Sequence, residues 1–244
     1  MVDRRAEAGF GRAAAEYERG RPGYPPDAIA WLGERLALGP GRTVGDLGAG
    51  TGKLSRLLGE TGARVVAVEP VEKMRRLLGA IPGVEVLAGE AEAIPLADGS
   101  ADACTVAQAF HWFAPEAALA EIHRVLRPGS GLALLWNLLD ESDPLTAAFA
   151  GILARHRAHP PLRSAWPETF ERSGLFEPDG VRTFPNVQEL DAEMLADRLA
   201  SESSIAVLPD GRRRRALREA RDLAPAASVN LRYVTEVHVS NRRP

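Results

Sequence analysis

A run of glycines bracketed by acidic residues is the part of this 244-residue sequence best suited to holding a ligand. It reads Val44-Gly45-Asp46-Leu47-Gly48-Ala49-Gly50-Thr51-Gly52, after a strand-like run and before a helical one. Glycines permit positive φ and let a ligand approach the backbone closely. Helix-entry amides then face that ligand. A Walker phosphate loop is excluded, because Gly52-Lys53-Leu54 has no Ser or Thr after the lysine. A dinucleotide fingerprint also fails: from Gly48 the spacing is G-x-G-x-G, with Lys53 where a third glycine belongs.

Charge narrows the choice further. Asp46 stands at the strand end, where a carboxylate repels a pyrophosphate and suits a cation. S-adenosylmethionine carries an ammonium and a sulfonium and no phosphate. Glu69 closes the next strand-like run, where an acid can accept two hydrogen bonds from ribose hydroxyls. A fourth strand-like run ends in Gln108-Ala109-Phe110-His111-Trp112-Phe113. Ligands of open α/β sheets sit at such C-terminal strand ends. An unperturbed histidine there, near pKa 6.5, suits a general base, so His111 is the catalytic candidate and a substrate contact. Trp112 is a second substrate contact or a packing residue.

Other chemistries find less support. The Gly-x-Ser-x-Gly nucleophile signature is missing. His156 and His159 are spaced i, i+3 without a carboxylate or thiol cluster, so no metal is expected. Cys104, the one cysteine, falls inside a strand-like run and reads as inert core. Arg212 to Arg215, with Arg218 and Arg221, form a basic helix face, either solvated or attractive to an anionic substrate or RNA.

These residues need a scaffold. Thr43–Leu47, Val65–Val68, Val84–Ala88, Ala103–Ala107 and Leu132–Trp136 are short apolar runs suited to parallel strands buried on both faces. Helical patterns alternate with them: Leu54, Leu57 and Leu58; Met74, Leu77, Leu78 and Ile81; then a helix from Pro115 that stops at Pro128-Gly129. The alternation predicts a doubly wound α/β sheet. Beyond Trp136 the expectations are a helix within Asp143–Ala158, a short one over Pro167–Ser173 and a weak strand at Val181–Val187. Asp191–Ala224 reads as helical in two pieces broken at Pro209-Asp210-Gly211. The last strand, Leu231–Val239, has one wetter face and reads as antiparallel.

Composition fits a globular chain, with 45% hydrophobic and 26% charged residues and a net charge of −3. No global basic field exists to hold nucleic acid. No apolar run reaches the roughly 20 residues of a membrane span. Met1 to Tyr17 lacks an apolar signal core, so a cytoplasmic location is expected.

The pattern Asp46-x-Gly48-x-Gly50-x-Gly52 resembles the first motif of class I S-adenosylmethionine-dependent methyltransferases, and Glu69 resembles their ribose acid. Gly89-Glu90-Ala91-Glu92-Ala93-Ile94-Pro95-Leu96 is similar to the segment that brackets adenine, with Glu90 where the family often has Asp. Asp98–Asp102 and Leu126–Gly131 resemble the turns into the fourth and fifth strands. The resemblance covers Phe10 to Asn137, and Tyr233–Val239 fits the family's antiparallel seventh strand. It points to the small-molecule branch, typified by ubiquinone-biosynthesis and trans-aconitate methyltransferases.

The resemblance implies a Rossmann-like, doubly wound seven-stranded sheet, mostly parallel with an antiparallel last strand and helical cap insertions. One domain, 1–244, would comprise an N-terminal lid (1–25), a cofactor half (26–137), a substrate cap (138–165 and 190–224) and a last strand (229–240). The implied cofactor site is Tyr17, Arg21, Asp46, Gly48, Ala49, Gly50, Thr51, Gly52, Glu69, Pro70, Met74, Glu90, Ala91 and Gln108, with Arg21 pairing with the cofactor carboxylate. Tyr24, His111 and Trp112 would touch the substrate. The implied reaction carries a methyl from S-adenosylmethionine to an O, N or C nucleophile of a small metabolite, leaving S-adenosylhomocysteine. The Asn/Asp-Pro-Pro-aromatic signature of nucleic-acid amine methylation is missing after Ala107. Three alternatives stay open: an RNA or protein methyltransferase, a nicotinamide oxidoreductase, and a binding protein without chemistry. Oligomeric state does not follow from the sequence.

Overall fold

A computed structural model describes residues 14–158, 166–224 and 227–244. The expectations for residues 1–13, for 159–165 and for His159 lie outside the described residues. Seven strands form one sheet in the order β3-β2-β1-β4-β5-β7-β6. They are β1 (Thr43–Leu47), β2 (Arg64–Val68), β3 (Val84–Leu87), β4 (Ala101–Ala107), β5 (Leu126–Leu139), β6 (Phe176–Leu190) and β7 (Val229–Arg242). The first five pair in parallel. β7 runs antiparallel to both β5 and β6, so it alone points the other way. The order reverses at β1, and the adjacent ends of β1 and β4 open a crevice there.

Alternation of side chains loads both faces. Val44, Val65, Ala103, Leu135 and Val237 meet α2 (Pro26–Arg35) and α3 (Lys53–Glu60) in one buried cluster. Leu47, Val68, Cys104, Val106 and Leu134 point the other way, toward α5 (Pro115–Val125) and α7 (Trp166–Ser173). Cys104 is fully buried and its thiol is pushed up to about 12 by burial, which agrees with an inert core role. A third cluster stands over the end of β7. It joins Phe149 and Ile152 of α6 (Pro144–His156), Leu195 and Leu199 of α8 (Ala192–Ala200), Ile205 of α9 (Ser203–Ala206) and Ala216 of α10 (Asp210–Arg221).

β5 and β7 run longer than read, and three further boundaries differ for local reasons. The helix from Pro115 ends at Val125, ahead of Pro128-Gly129, because Leu126 turns extended and pairs with Ala101. β6 runs well beyond Val181–Val187; its Pro178 and Pro185 are tolerated because it is an edge strand, bulged between Pro178 and Gly180. The Asp191–Ala224 stretch has three helices, with an added break at Ser201-Glu202. There the Ser201 hydroxyl caps the Arg198 carbonyl at 2.6 Å and Glu202 turns extended.

The described N-terminal residues form a helix over 14–20, α1, and then an extended segment to α2. This strap is held to β5, β6, α8 and α10 from several directions. Arg19 pairs with Asp197 at 2.6 Å and Arg213 with Glu16 at 3.2 Å. Gln188 donates to the Gly20 carbonyl, while Asn137 and Asn186 both donate to that of Gly23. A Cβ at Gly20 would overlap the backbone of Asp197 and Arg198, so glycine is what lets strap and α8 meet.

Candidate active site

The glycine loop leaves β1 and enters α3. Gly48, Gly50 and Gly52 all have positive φ, at 63°, 59° and 87°. Each bare Cα faces something different. A Cβ on Gly48 would come within 2.8 Å of the Ala109 methyl, and one on Gly52 would overlap Leu78 and Ile81. One on Gly50 would meet no packed atom; Tyr17 is nearest, at 3.8 Å across the cleft. Gly48 and Gly52 thus let the loop pack, whereas Gly50 keeps the cleft open. At the end of β4, Gln108 holds a non-glycine φ of 57°, a strained value of the kind that collects at functional sites. Its amide donates to Leu135 at 2.9 Å.

Two joined cavities occupy the crevice, sharing Tyr17, Gly48, Ala107 and Gln108. The larger, about 700 Å³, is lined by Gly50, Glu69, Pro70 and Met74 on one side and by Glu90, Ala91, Trp112 and Phe113 on the other. The second, about 490 Å³, is lined by Asp46, Ala49 and Thr51 of the loop, by Arg21 and Tyr24 of the strap, and by Asn137 and Arg198. The structure therefore brings together nearly every site residue read from the sequence. Gly52 supports the loop from behind. His111 lines neither cavity; it sits in the 3-10 turn Phe110–Trp112 with its ring against Trp112, 5.2 Å between centroids. Its pKa is pulled down to about 4, by burial first and then by the Arg21 charge. The expectation of an unperturbed histidine is thus corrected: the imidazole is neutral at pH 7 and a weak base.

Glu69 is nearly fully buried, and its oxygens accept from the Gly50 amide at 2.9 Å and the Val71 amide at 2.8 Å. Burial raises its pKa, and those two backbone donors lower it. A carboxylate oxygen holding one amide retains a lone pair for a ligand hydroxyl. Asp46 is more enclosed than the sequence suggests. Ser55 and Thr105 donate to it at 2.5 and 2.9 Å, and burial pushes its pKa up to about 6. It lines the second cavity as a buried acid held by two hydroxyls rather than as an open anionic wall.

Arg21 corrects a second expectation in part. Its Nη2 is taken by Glu202 at 3.1 Å and by the Ser201 carbonyl at 3.1 Å. Its buried Nε has no partner. The Thr51 hydroxyl is likewise buried without one. Sequence reasoning missed Arg198, buried on α8 and bonded to the Tyr233 hydroxyl at 3.0 Å and to Glu202 at 2.7 Å. A signal was available: an arginine on the apolar stripe of Leu195 and Leu199, four positions before a glutamate. Asn137, Phe113 and Lys53 were also missed as lining residues.

Three of the six arginines of the basic run are ion-paired. Arg213 pairs with Glu16, Arg215 with Glu219 and Arg221 with Glu193. Arg212 donates to the His156 carbonyl at 3.4 Å. His156 itself contacts Glu219 at 3.0 Å, and the described residues contain no cluster of three metal-ligating side chains. No helix among the described residues is long and apolar enough to cross a membrane.

A mostly parallel sheet of this order with an antiparallel β7, a glycine loop at its reversal and an acid closing β2 define the class I S-adenosylmethionine-binding fold. Comparison with known proteins agrees. The methyltransferase domain family matches residues 45–134. A methyltransferase-like protein of Schizosaccharomyces pombe is 33% identical over 96% of both chains. A demethylmenaquinone methyltransferase of Corynebacterium urealyticum is 31% identical over 67% of this chain and 70% of its own. A structure solved from Anaeromyxobacter dehalogenans under a type II methyltransferase name superposes with a TM-score of 0.68 and 27% identity, over 91% of this chain and 97% of that one. The chain belongs to the methyltransferase family. An uncharacterized methyltransferase of Mycobacterium tuberculosis is 54% identical, and there the match spans 54% of this chain and about half, 53%, of the relative's length.

The residues present fit the family's cofactor. The bare Cα of Gly50, the Glu69 carboxylate beside it, and the unpaired Arg21 Nε and Thr51 hydroxyl supply room, a ribose acceptor and donors for a carboxylate.

Proposed function

We propose that this chain transfers a methyl group from S-adenosylmethionine to a nucleophilic O, N or C of a small metabolite. The observation that carries the reading is the Glu69 carboxylate, fixed by the Gly50 and Val71 amides at the edge of a cleft that Gly50 keeps open. When bound, the cofactor supplies a methyl on a cationic sulfur, already activated toward a nucleophile. Glu69 would accept from the ribose hydroxyls, Glu90 and Ala91 would border the adenine, and Thr51 with Arg21 would take the carboxylate. Phe113 and Trp112 would keep water from the reacting face. His111, neutral at pH 7 and outside both cavities, backs Trp112 with its ring rather than facing the acceptor.

A small acceptor is favoured because strap and cap close over the crevice. The strap is tied to β5, β6, α8 and α10 by side chains, so residues 14–25 act as a lid and the α6 to α10 cluster as a substrate cap. The name of the demethylmenaquinone relative is consistent with a small acceptor. Arg213, Arg215 and Arg221 of α10 are spent on carboxylates of this chain, which weakens the basic face that an RNA or protein acceptor would use.

The test is incubation of the protein and methyl-labelled cofactor with a fractionated cell extract. Protein-dependent label in the small-molecule fraction is the expected result. Label confined to RNA or protein overturns the acceptor class.

A further inference from the structure

Glu90, Ala91 and Glu92, in the wall of the larger cavity, belong to a loop that joins β3 to β4. That loop, residues 88–100, has no helix or ladder of its own beyond a single bridge between Glu90 and Ala93. Backbone groups in such a loop need partners from elsewhere. Here α5 supplies them. Arg124 donates from Nη2 to the Ile94 carbonyl and from Nη1 to the Leu96 carbonyl, both at 2.9 Å. Nη1 also donates to Asp98 at 2.6 Å, and Nε and Nη2 donate to Glu121 at 2.7 Å each. Every N–H of the guanidinium is thereby used. Glu121 completes the clamp by accepting from the Ile94 amide at 2.9 Å. The hydrogen bond from Arg124 holds the Glu121 carboxyl below the usual carboxylate range. Apart from Glu121, each of these partners of Arg124 lies in the loop.

The other end of α5 is tied to the same loop. The Glu92 carboxylate accepts from the Ala114 amide at 2.7 Å, just before the helix begins. Ala114 follows Trp112 and Phe113, which line the same cavity. One helix therefore carries both pieces of one wall: the loop through side chains, and the Trp112-Phe113 turn through the chain itself. The Ala93 amide donates to the Glu90 carbonyl at 3.1 Å and passes the hold on Ile94 back to the cavity wall. Ala91 and Ile94 are buried, which leaves this turn little room to shift.

We propose that Arg124, braced by Glu121, is a positioning residue for the base half of the cofactor: by fixing the loop at Ile94–Asp98 it sets where Glu90 and Ala91 stand, and so how well the site tells adenine from other purines. This rests on the methyltransferase reading and deepens it. A carboxylate at Glu90 suits the 6-amino group of adenine, a donor. A 6-oxo purine presents a carbonyl there and sets acceptor against acceptor. That discrimination requires the acid to be held in place before the ligand arrives.

The experiment compares S-adenosylhomocysteine with S-inosylhomocysteine, which differ only around the purine 6-position. Calorimetry is done on the folded protein, below its melting transition. The parent should favour the adenosyl form by about tenfold or more, the worth of one hydrogen bond with its mismatch. Arg124→Met should reduce the preference to roughly threefold or less, as the loop loses its preorganisation. A purely structural arginine lowers the melting temperature and leaves this ratio unchanged, because both ligands need the same fold. Glu121→Gln keeps an oxygen for the Ile94 amide but weakens the hold on Arg124. It should give an intermediate ratio, and it is the deciding variant if Arg124→Met does not fold. Equal binding of the two ligands by the parent, or an unchanged ratio in the folded variant, overturns the proposal. Failure of the parent to bind either ligand would instead remove the methyltransferase reading beneath it.

Discussion

Glu69 and Gly50 are joined by a 2.9 Å hydrogen bond from the Gly50 amide to the Glu69 carboxylate. This one contact ties the end of β2 to the glycine loop and sets the acid in the wall of the larger cavity. Replacing Glu69 with Ala removes an anchor for two ligand hydroxyls. Cofactor binding should weaken by about 2–4 kcal/mol, roughly 30- to 1000-fold. Glu69→Gln, keeping one acceptor oxygen, should fall between. Calorimetric dissociation constants check the order, and an unchanged constant in the Ala variant removes Glu69 from the site.

The glycines of the loop separate stability from binding. Gly52→Ala combines a left-handed backbone with overlap on Leu78 and Ile81, a cost of about 2–4 kcal/mol. Gly50→Ala carries only the backbone cost, about 1–2 kcal/mol, and projects a methyl into the cleft toward Tyr17. Thermal melts should show the larger loss in Gly52→Ala. Ligand titration should show at least a tenfold loss in Gly50→Ala.

Asp46 and His111 oppose one another in acid. Burial raises Asp46 from 3.8 to about 6, so its contribution to stability is fullest below pH 3.8 and is lost as pH rises through 6. Burial and Arg21 lower His111 from 6.5 to about 4, so its contribution is fullest above pH 6.5 and is lost as pH falls through 4. Each amounts to roughly 3 kcal/mol at about 1.4 kcal/mol per pH unit. Asp46→Asn should therefore raise the melting temperature at pH 7.5 and lose stability more steeply between pH 6.5 and 4 than the parent. His111→Gln should lose less over that interval. Denaturant melts across the range check both slopes.

The strap depends on a close backbone contact. Gly20→Ala forces a methyl against Asp197 and Arg198, which should loosen the strap and leave the sheet intact. Limited proteolysis should cut near residues 14–25 at least several-fold faster in the variant. An unchanged cleavage rate would mean that the contact does not hold the strap.

The cofactor half was legible because its determinants are local. A loop needing three positive φ values can be read as three glycines, and buried parallel strands appear as short apolar runs such as Val65–Val68. Gly50, Glu69 and Trp112 follow from strand ends, while Ala91 comes from the resemblance to the adenine-bracketing segment. Arg198 and Glu202 were not legible in that way. They matter because α8 is laid across β7, where Tyr233 meets Arg198, and because the strap brings Arg21 from 180 positions away. Asn137 and Gln188 gain their roles through the same long-range packing. β6 was underestimated because its prolines speak against a strand until its position at the sheet edge is known. His111 falls just past the β4 end as read, but its basicity is set by burial first and then by the Arg21 charge, both of which come only from long-range packing.

The central claim is that the cleft between β1 and β4 binds S-adenosylmethionine. Titration of the purified protein with S-adenosylmethionine, S-adenosylhomocysteine and NAD tests it most directly. One-to-one micromolar binding of the first two, lost in Glu69→Ala, with no heat from NAD, is the predicted result. Micromolar binding of NAD with none of the other two would contradict it.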